Sequence, residues 1–328
     1  QLNKRAAWER VDRNTKEYKH SILKRCMRYA ATIVLPLFVV GIGFYLTRDK
    51  EEIHPVAEVV TIAPGVTKAE LVLADGHKVI LGTESVDSLA SEEGINIVKE
   101  GNGVSYFGNK EEGDLAYNIM RVPRGGEFKV RLQDGTLVYM NSETELKYPV
   151  RFNEKERTVY LSGEAYFEVT KDSNRPFYVV TEEVQIRVYG TEFNVNTHQS
   201  GKIHTVLVGG KVGIKKRGAV EEVTMKPGQL ASFDRKEGTI EVKDVDVRQY
   251  VVWKDGYFTF ENESLEQILN TLSLWYDVDV FFQSESAKQL VFTGYMKRYN
   301  DISEILDAIT DVVGVNFTIN GKTIIVSK

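Results

Sequence analysis

Residues 128–140 read FKVRLQDGTLVYM and give the clearest indication of the fold class. Apolar and polar side chains alternate on both sides of Asp134-Gly135, a dipeptide that favours a tight turn. The pattern therefore predicts a hairpin of two antiparallel strands, Phe128–Leu132 and Thr136–Met140.

Short runs rich in Val, Ile, Thr, Phe and Tyr continue on both sides of this hairpin, from residue 56 to residue 252. No amphipathic helix of ten residues interrupts them. The region is therefore predicted to be all-β and antiparallel. The other clear strands are Leu71–Leu73, Lys78–Leu81, Thr158–Leu161, Ala165–Val169, Phe177–Val180, Val184–Val188, Phe193–Asn196, Ile203–Val208 and Lys211–Lys215.

A weak internal repeat supports this architecture. The unit is a strand, a tight turn and a return strand, used twice at an offset of 59 residues. Its matches are Pro64 with Pro123, Leu73 with Leu132, Asp75-Gly76 with Asp134-Gly135, Val79 with Val138 and Leu81 with Met140.

Past Trp253 the apolar residues follow a helical period. Two apolar helix faces, Leu265–Trp275 and Ile302–Ile309, superimpose at an offset of 37 residues. Asp301 and Glu304 are spaced as a capping box for the second helix. Residues 256–328 are therefore predicted to be a duplicated β-α-β unit that forms a small α+β domain.

Near the N-terminus, Tyr29–Leu46 is a run of 18 residues without a charge, enough for a helix to cross a bilayer core of about 30 Å. Residues 1–28 hold 9 Lys and Arg against 3 Asp and Glu, whereas the remainder carries a net charge of −11. The positive-inside rule then places residues 1–28 in the cytoplasm and the large C-terminal part outside.

Two alternatives to a membrane anchor are a cleavable signal peptide and a buried helix. A signal peptide would end in a small-residue cleavage site, but Thr47-Arg48-Asp49-Lys50 follows the apolar run. A buried helix of 18 residues would normally carry a polar stripe. Within the span, Pro36, Gly41 and Gly43 weaken the helix, which membrane helices tolerate but which also makes the segment a candidate region for intramembrane cleavage.

Composition and motifs argue against an enzyme. The net charge of −5 gives no basic field for nucleic acid, and the single Cys26 excludes an internal disulfide or a thiolate metal cluster. No pattern indicates a cofactor or a catalytic metal. Glu164 and Glu168 lie four residues apart on a strand, about 13 Å, which is too far for a glycosidase pair.

Several motifs between residue 55 and the C-terminus resemble FecR-family anti-sigma factors, and the last two resemble the C-terminal domain of the Bacteroidetes branch. In chain order these motifs are Val122–Phe128, Leu132–Ser142, Leu161–Val169, Arg175–Val179, Gly190–Val195, Trp253–Phe258 and Leu274–Val278. The cytoplasmic sigma-binding domain of the family is several helices long, and only its last helix matches here.

The resemblance implies an inner-membrane regulator of a Gram-negative cell. Its cytoplasmic side would hold an extracytoplasmic-function (ECF) sigma factor. Its C-terminal domain is similar to the periplasmic signalling domain of TonB-dependent outer-membrane transporters and would bind that domain. Periplasmic and intramembrane proteases would then release the sigma factor.

These inferences give one expected fold class and five segments. The chain is expected to be a single-pass membrane protein with a mainly-β periplasmic FecR-like domain and a small α+β domain. The segments are 1–28 (cytoplasmic stub), 29–47 (transmembrane helix), 48–120 (N-terminal periplasmic β region), 121–253 (FecR-like domain) and 254–328 (C-terminal domain).

Two candidate sites follow from the resemblance and the strand pattern. The partner would pair with an edge strand, either Val278–Phe282 through Val278, Val280 and Phe282, or Thr323–Val326 through Thr323 and Ile325. The alternative is that both segments are ordinary paired strands. In several family members the periplasmic region cuts itself at a Gly-Thr bond that aligns with Gly190-Thr191. The alternative is that Gly190 is only a corner between two strands.

A second functional class also fits an all-β region with exposed tyrosines. The chain could be a membrane-anchored glycan-binding or adhesin-like module. That interpretation assigns no function to the duplicated β-α-β domain.

Overall fold

The computed structural model describes residues 37, 39–45, 61–82, 88–92, 95–100, 103–107, 116–199 and 201–328. The chain forms two compact units, residues 1–59 and 60–328. In the first unit the described residues, 37 and 39–45, are helical. No helix within the described residues is long and apolar enough to cross a membrane. Most of the predicted span Tyr29–Leu46, including Pro36, lies outside the described residues.

The second unit begins with a β-rich region in which every one of the predicted strands overlaps an observed strand. The strands are β1 Val66–Val72, β2 Lys78–Gly82, β3 Ser88–Glu92, β4 Ile95–Glu100, β5 Gly103–Phe107, β6 Tyr117–Val122, β7 Gly126–Arg131, β8 Leu137–Met140, β9 Thr144–Pro149, β10 Arg157–Ser162, β11 Glu164–Glu168, β12 Phe177–Val180, β13 Val184–Val188, β14 Glu192–Asn196, β15 Lys202–Gly209, β16 Val212–Lys216, β17 Val223–Met225, β18 Gln229–Asp234 and β19 Ile240–Asp244. The all-β prediction is confirmed for the described residues.

These strands form two sheets around one apolar core, and the sheets are joined where β1 pairs with β7. The first sheet has the order β2-β1-β6-β9-β10-β12-β13-β16-β17. The second has the order β3-β4-β5-β7-β8-β11-β14-β15-β18-β19. Phe177 of the first sheet lies 6.3 Å from Phe167 of the second, ring centre to ring centre, and both are fully buried. Alternating apolar residues of the two sheets thus face each other.

The prediction of a purely antiparallel region is wrong at three places. β10 and β12 are parallel neighbours, and β7 is parallel to both β1 and β5. The β10–β12 pair arises because the strand between them, β11, belongs to the other sheet. The chain therefore leaves the first sheet and returns to it in the same direction.

The internal repeat is confirmed, and its two copies share equivalent backbone hydrogen bonds across the turn. Leu73 N–H donates to the carbonyl of His77, and Leu132 N–H donates to that of Thr136, at 2.8 and 2.9 Å. The two turn glycines, Gly76 and Gly135, have positive φ of 88° and 85°, a conformation that favours glycine. β1 and β2 therefore contribute to the same core as the second hairpin, β7 and β8.

The C-terminal region has the predicted duplicated β-α-β arrangement. After α1 Arg248–Val251 and a 3-10 helix Val252–Asp255 come β20 Tyr257–Ser264, α2 Leu265–Tyr276, β21 Asp279–Phe282, α3 Glu285–Lys288, β22 Val291–Lys297, α4 Ile302–Val313, β23 Asn316–Asn320 and β24 Thr323–Ser327. The bounds of α2 and α4 differ by the predicted 37 residues. β20 pairs with β22, while β21, β24 and β23 form a three-stranded sheet.

Capping differs between the two repeated helices. A full capping box lies at α2, where the Ser264 hydroxyl accepts from Gln267 N–H. At α4 the Asp301 carboxylate accepts from Ser303 N–H, while the Glu304 carboxylate accepts from the side chain of Asn300 instead of the backbone. The predicted box at Asp301 and Glu304 is therefore wrong, because Asn300 takes the carboxylate that would close it.

Candidate functional site

The C-terminal domain joins the β-rich domain through a buried arginine, Arg298, which directly follows β22. Its side chain is completely buried. The guanidinium carbon lies 3.7 Å from the ring centre of Trp275 and 5.6 Å from that of Trp253. Burial lowers the pKa of Arg298, although Glu127 and Glu164 oppose that shift. A cation between aromatic rings is stabilised most when it is desolvated, as it is here.

A chain of hydrogen bonds extends from Arg298 into the β-rich domain. The guanidinium donates to the side-chain oxygen of Asn141, and the Asn141 amide donates to Glu164 Oε2 at 2.7 Å. Asn194 donates to the other oxygen, Glu164 Oε1, at 3.0 Å. Both oxygens of this buried carboxylate are therefore satisfied.

Trp253 closes this chain into a ring. Its indole N–H donates to Asn194 Oδ1 at 3.2 Å, and its backbone carbonyl accepts from Arg298 at 3.3 Å. We call Arg298, Asn141, Glu164, Asn194 and Trp253 the junction ring. It contains residues of β11, β14, the 3-10 helix and the C-terminal domain, so the two domains cannot separate without exposing or orphaning buried polar groups.

A second contact between the domains lies at Arg124, in the turn between β6 and β7. Arg124 donates to the carbonyls of Ser273, at 3.0 Å, and Val278. It also forms ion pairs with Asp277 and Asp279 at 3.5 and 3.7 Å. The neighbouring Gly125 N–H donates to the backbone carbonyl of Leu274 at 2.7 Å. The end of α2 and the start of β21 are thus held against the β6–β7 turn.

Beside the junction ring, a cleft of about 1000 Å³ separates α2 from the outer face of β15, β18 and β19. Two titratable groups in it are perturbed by burial. The pKa of the Glu263 carboxyl is raised to about 7 by loss of solvent. The pKa of His204 is lowered to about 4, by burial and then by Lys202 and Lys243. Both groups are therefore held toward their neutral forms near pH 6.

Glu164 and Glu168 do not come together in the structure. Glu164 lies in the junction ring at one end of β11, and Glu168 is at the other end of that strand. Within the described residues, no group of three or more His, Cys, Asp or Glu is arranged to hold a metal ion. His198 Nε2 lies 3.1 Å from the carbonyl of Ser142, a structural contact.

Gly190-Thr191 forms the corner between β13 and β14. Gly190 has a φ of 146°, and a Cβ there would lie 2.7 Å from Lys171 Cα, so only glycine fits. Thr191 is buried. Its hydroxyl donates to the carbonyl of Lys211 at 3.1 Å and accepts from Lys211 N–H at 3.4 Å. The hydroxyl therefore joins this corner to the turn between β15 and β16.

The two predicted partner strands have different positions. β24 is the central strand of its sheet, paired with both β21 and β23, so the prediction that Thr323 and Ile325 lie on a free edge is wrong. The parallel pairing with β21 covers that side. β21 is an edge strand among the described residues, but Val278 is buried and Val280 and Phe282 pack against the core.

The candidate intramembrane region is described only in part. Gly41 and Gly43 lie in the helical stretch 39–45, and Pro36 lies outside the described residues. Intramembrane cleavage in this region stays a prediction.

The sequence pattern missed the junction ring, although four of its members lie inside the motifs quoted above. Asn141, Glu164, Asn194 and Trp253 come from four different motifs. The available signal was Glu164 and Asn194, which are polar residues within otherwise largely buried strands. Nothing local marks Arg298.

Comparison with known proteins follows the same domain division. A family model described as FecR protein matches residues 118–213, and one described as FecR, C-terminal matches residues 257–326. Together they span about half of the chain. No curated protein gives a significant match.

Two crystal structures of a candidate anti-sigma factor from Parabacteroides distasonis have a similar fold. One is 24% identical, with a TM-score of 0.59, and the match covers 64% of this chain and 98% of that one. The other is 23% identical, with a TM-score of 0.60, covering 65% and 99%. These identities establish likeness of fold. The two family models, matched in order over the β-rich and C-terminal domains, show that the chain belongs to the FecR family.

Proposed function

We propose that this chain is an inner-membrane anti-sigma factor that carries a signal from a TonB-dependent outer-membrane transporter to a cytoplasmic ECF sigma factor. Its membership of the FecR family supports a regulatory role. The proteins of similar fold are described as candidate anti-sigma factors. The uncharged run Tyr29–Leu46, with basic residues before it and an acidic region after it, supports the orientation.

The junction ring is the observation that best supports a relay. A partner that binds the C-terminal domain acts on a body fixed to the β-rich domain through Arg298 and Arg124. A signal that moves one domain must then either move the other or break these buried contacts. Both results change which surfaces proteases can reach.

Release of the sigma factor would be proteolytic. A first cut outside the membrane would be followed by an intramembrane cut in the region of Pro36, Gly41 and Gly43. Glycine and proline weaken the backbone ladder of a membrane helix and so ease local unwinding.

The experiment is a transcription assay in cells that carry a reporter for the cognate sigma factor. Deletion of residues 256–328 should abolish the response to the transporter's ligand while the protein still accumulates in the membrane. A full response from the truncated chain would contradict the relay. If the purified protein instead binds to a glycan array and binds no transporter signalling domain, the adhesin-like alternative is supported.

A further inference from the structure

The cleft beside the junction ring has one wall from each domain. The wall of the β-rich domain is a row of polar side chains on the outer face of the second sheet. Adjacent strands bring these residues into register: Asn196, His204, Ser232 and Glu241. Successive residues of a strand point to opposite faces, and the neighbouring Ile203 and Phe233 accordingly lie in the core.

The opposite wall is the polar face of α2. Gln267, Asn270 and Thr271 line the cleft, at the three- and four-residue spacing that places side chains on one face of a helix. Ile268 and Leu269, which lie between them in sequence, are fully buried in the C-terminal core. Amide and hydroxyl groups therefore line both sides of the cleft.

Three polar groups in the cleft form no hydrogen bond with any residue that the structure describes. They are the imidazole of His204, the hydroxyl of Tyr250 and the carboxyl of Glu263. Tyr250 lies close to both of the others. Its ring meets that of His204 edge to face, with centres 6.4 Å apart, and its pKa is raised by burial and then by the charge of Glu263.

Polar groups withdrawn from solvent normally have partners. A cleft at a domain interface, with convergent polar groups and perturbed pKa values, has the features of a small-molecule site. An apolar occupant would leave the three groups unsatisfied, at a cost in free energy for each. These groups therefore indicate a polar ligand.

The charges of the cleft do not favour a ligand of either sign. Apart from the junction ring and Glu263, the charged residues that line it are two lysines and three glutamates: Lys202, Lys243, Glu143, Glu241 and Glu266. One of the glutamates, Glu266, forms an ion pair with Lys288 at 3.7 Å. A phosphate or a polyamine would need an excess of one sign, so the lining is suited to an uncharged ligand.

The hydrogen-bonding capacity of the lining narrows the ligand class further. A protonated carboxyl, a neutral imidazole and a phenol each offer both a donor and an acceptor, and so do hydroxyl and amide side chains. The hydroxyl groups of a sugar have the same double capacity. A ligand that carries several neutral hydroxyls can therefore satisfy both walls at once.

We propose that the cleft between α2 and the outer face of β15, β18 and β19 binds a neutral saccharide, with Ser232 and Asn270 binding its hydroxyl groups from opposite walls. The ring of Tyr250 would offer an apolar surface to a face of the sugar. Because both domains line the cleft, the ligand would add a contact between them to those of Arg298 and Arg124 and would raise stability. The inference does not depend on the relay.

The test uses the full-length chain in phospholipid nanodiscs, so that no sugar-based detergent competes. A volume of about 1000 Å³ is at the upper end of the range for small-molecule sites, so the probes are disaccharides. Cellobiose, maltose, lactose and chitobiose are titrated by calorimetry, beside glucuronic acid and glucosamine as charged sugars.

The cleft variant carries Ser232→Leu and Asn270→Leu, which replace one hydrogen-bonding group on each wall. The matched control carries Thr224→Leu on β17 and Asp307→Leu on α4. Both control residues are exposed and lie outside the cleft, and Asp307 is the counterpart of Asn270 in the duplicated helix. Circular dichroism and the unfolding midpoint check that both variants fold.

We expect at least one neutral disaccharide to bind the wild type and to raise its unfolding midpoint. Its affinity should be at least about tenfold lower for the cleft variant and nearly unchanged for the control. Hydrogen exchange at the amides of residues 230–232 and 267–271 should slow in the wild-type complex, which gives a measurement independent of the folding of the variants.

Three results would overturn the inference. If none of the four disaccharides binds at about 10 mM, the cleft is not a saccharide site. If one binds equally well to the cleft variant, without protection of α2 and β18, it binds elsewhere. If glucuronic acid or glucosamine binds more tightly than every disaccharide, the ligand is charged. The transcription assay tests the relay separately, so either proposal can fail while the other stands.

Discussion

Trp275 holds Arg298 in two ways at once. The face of its indole lies under the guanidinium, at 3.7 Å, and its Nε1–H donates to the backbone carbonyl of Arg298 at 2.7 Å. The same residue pair thus fixes both the main chain after β22 and the side chain that reaches the β-rich domain. Since Trp275 lies on α2, the C-terminal core and the interdomain contact depend on each other.

The first prediction concerns the contribution of Arg298 to stability. Arg298→Ala removes a buried cation together with its hydrogen bonds to Asn141 Oδ1 and the Trp253 carbonyl. Each acceptor keeps one other donor, Ser142 N–H and Gly256 N–H respectively, but the buried Glu164 loses the nearby positive charge. We expect the free energy of unfolding to fall by about 3 to 5 kcal/mol, the range found when one partner of a buried ionic network is removed. Urea titration followed by tryptophan fluorescence would measure it.

The control for Arg298 is an exposed arginine. Arg248 pairs with Asp246 on the surface, so Arg248→Ala should change the free energy of unfolding by less than about 1 kcal/mol. Arg298→Lys keeps the charge but cannot reproduce a planar group over the indole, and it should lie between the other two variants. Equal effects of Arg248→Ala and Arg298→Ala would mean that the junction ring does not stabilise the fold.

The second prediction concerns Glu263, whose carboxyl pKa is raised to about 7 by burial in the cleft. In the unfolded chain the pKa is near 4.5, so between these values the native state binds more protons than the unfolded state. The contribution of Glu263 to stability is therefore fully present below about pH 4.5 and is lost as the pH rises through 7.

Glu263→Gln should accordingly change little at pH 4.5 and stabilise the protein at pH 8, by up to about 3 kcal/mol. The free energy of unfolding of wild type and variant is measured across this pH range. Because both proteins contain His204, the difference between them reports the titration of Glu263. The exposed Glu237→Gln is the control and should show no such pH dependence. A Glu263→Gln difference that is flat with pH would contradict the desolvation of this carboxyl.

Some parts of this fold are determined by residues adjacent in the chain, and others by contacts between distant residues. The hairpin around Asp134-Gly135 could be predicted because its turn depends on residues that are adjacent in the chain. The helices α2 and α4 could be predicted because apolar spacing alone gives their buried faces. Their offset of 37 residues then revealed the duplication.

The edge strands could not be predicted in the same way. Val278–Phe282 and Thr323–Val326 both read as short apolar strands, and only their mutual pairing shows that β24 is central. Arg298 is a similar case, since its partners Trp253 and Asn141 lie 45 and 157 residues away. A strand that ends in lysine and is followed by arginine, as at Lys297-Arg298, normally has a solvent-exposed end.

The third prediction concerns orientation in the membrane. Lys24, Arg25 and Arg28 precede the uncharged run Tyr29–Leu46 and should remain in the cytoplasm. A C-terminal alkaline phosphatase fusion should therefore be active, and a C-terminal green fluorescent protein fusion exported by the Sec route should be dark. Fusions made after residue 28 should give the reverse pair. The opposite pair of results for the C-terminal fusions, an inactive phosphatase and a fluorescent green fluorescent protein, would contradict the proposed topology.

The last prediction concerns the Thr191 hydroxyl. Self-cleavage requires it to attack a backbone carbonyl, whereas a structural corner requires it to stay hydrogen-bonded. Cleavage requires Thr191 Oγ to attack the carbonyl carbon of Gly190, so that the amide C–N bond breaks, an ester forms and the Thr191 amine is released. Water would then hydrolyse the ester, leaving a Gly190 carboxylate and restoring the hydroxyl. In the structure this hydroxyl is instead bound on both sides by the backbone of Lys211.

We therefore expect the wild-type chain to stay intact for days at neutral pH, as measured by mass spectrometry under denaturing conditions. Thr191→Val keeps the shape of the side chain but leaves the Lys211 carbonyl and N–H without this partner. It should lower the free energy of unfolding by about 1 to 2 kcal/mol, whereas Thr191→Ser, which keeps the hydroxyl, should cost less. Fragments 1–190 and 191–328 from the wild type and from Thr191→Ser, but not from Thr191→Val, would contradict this expectation. The hydroxyl would then have to leave Lys211 before it attacks, and the corner would be a cleavage site held in check by that hydrogen bond.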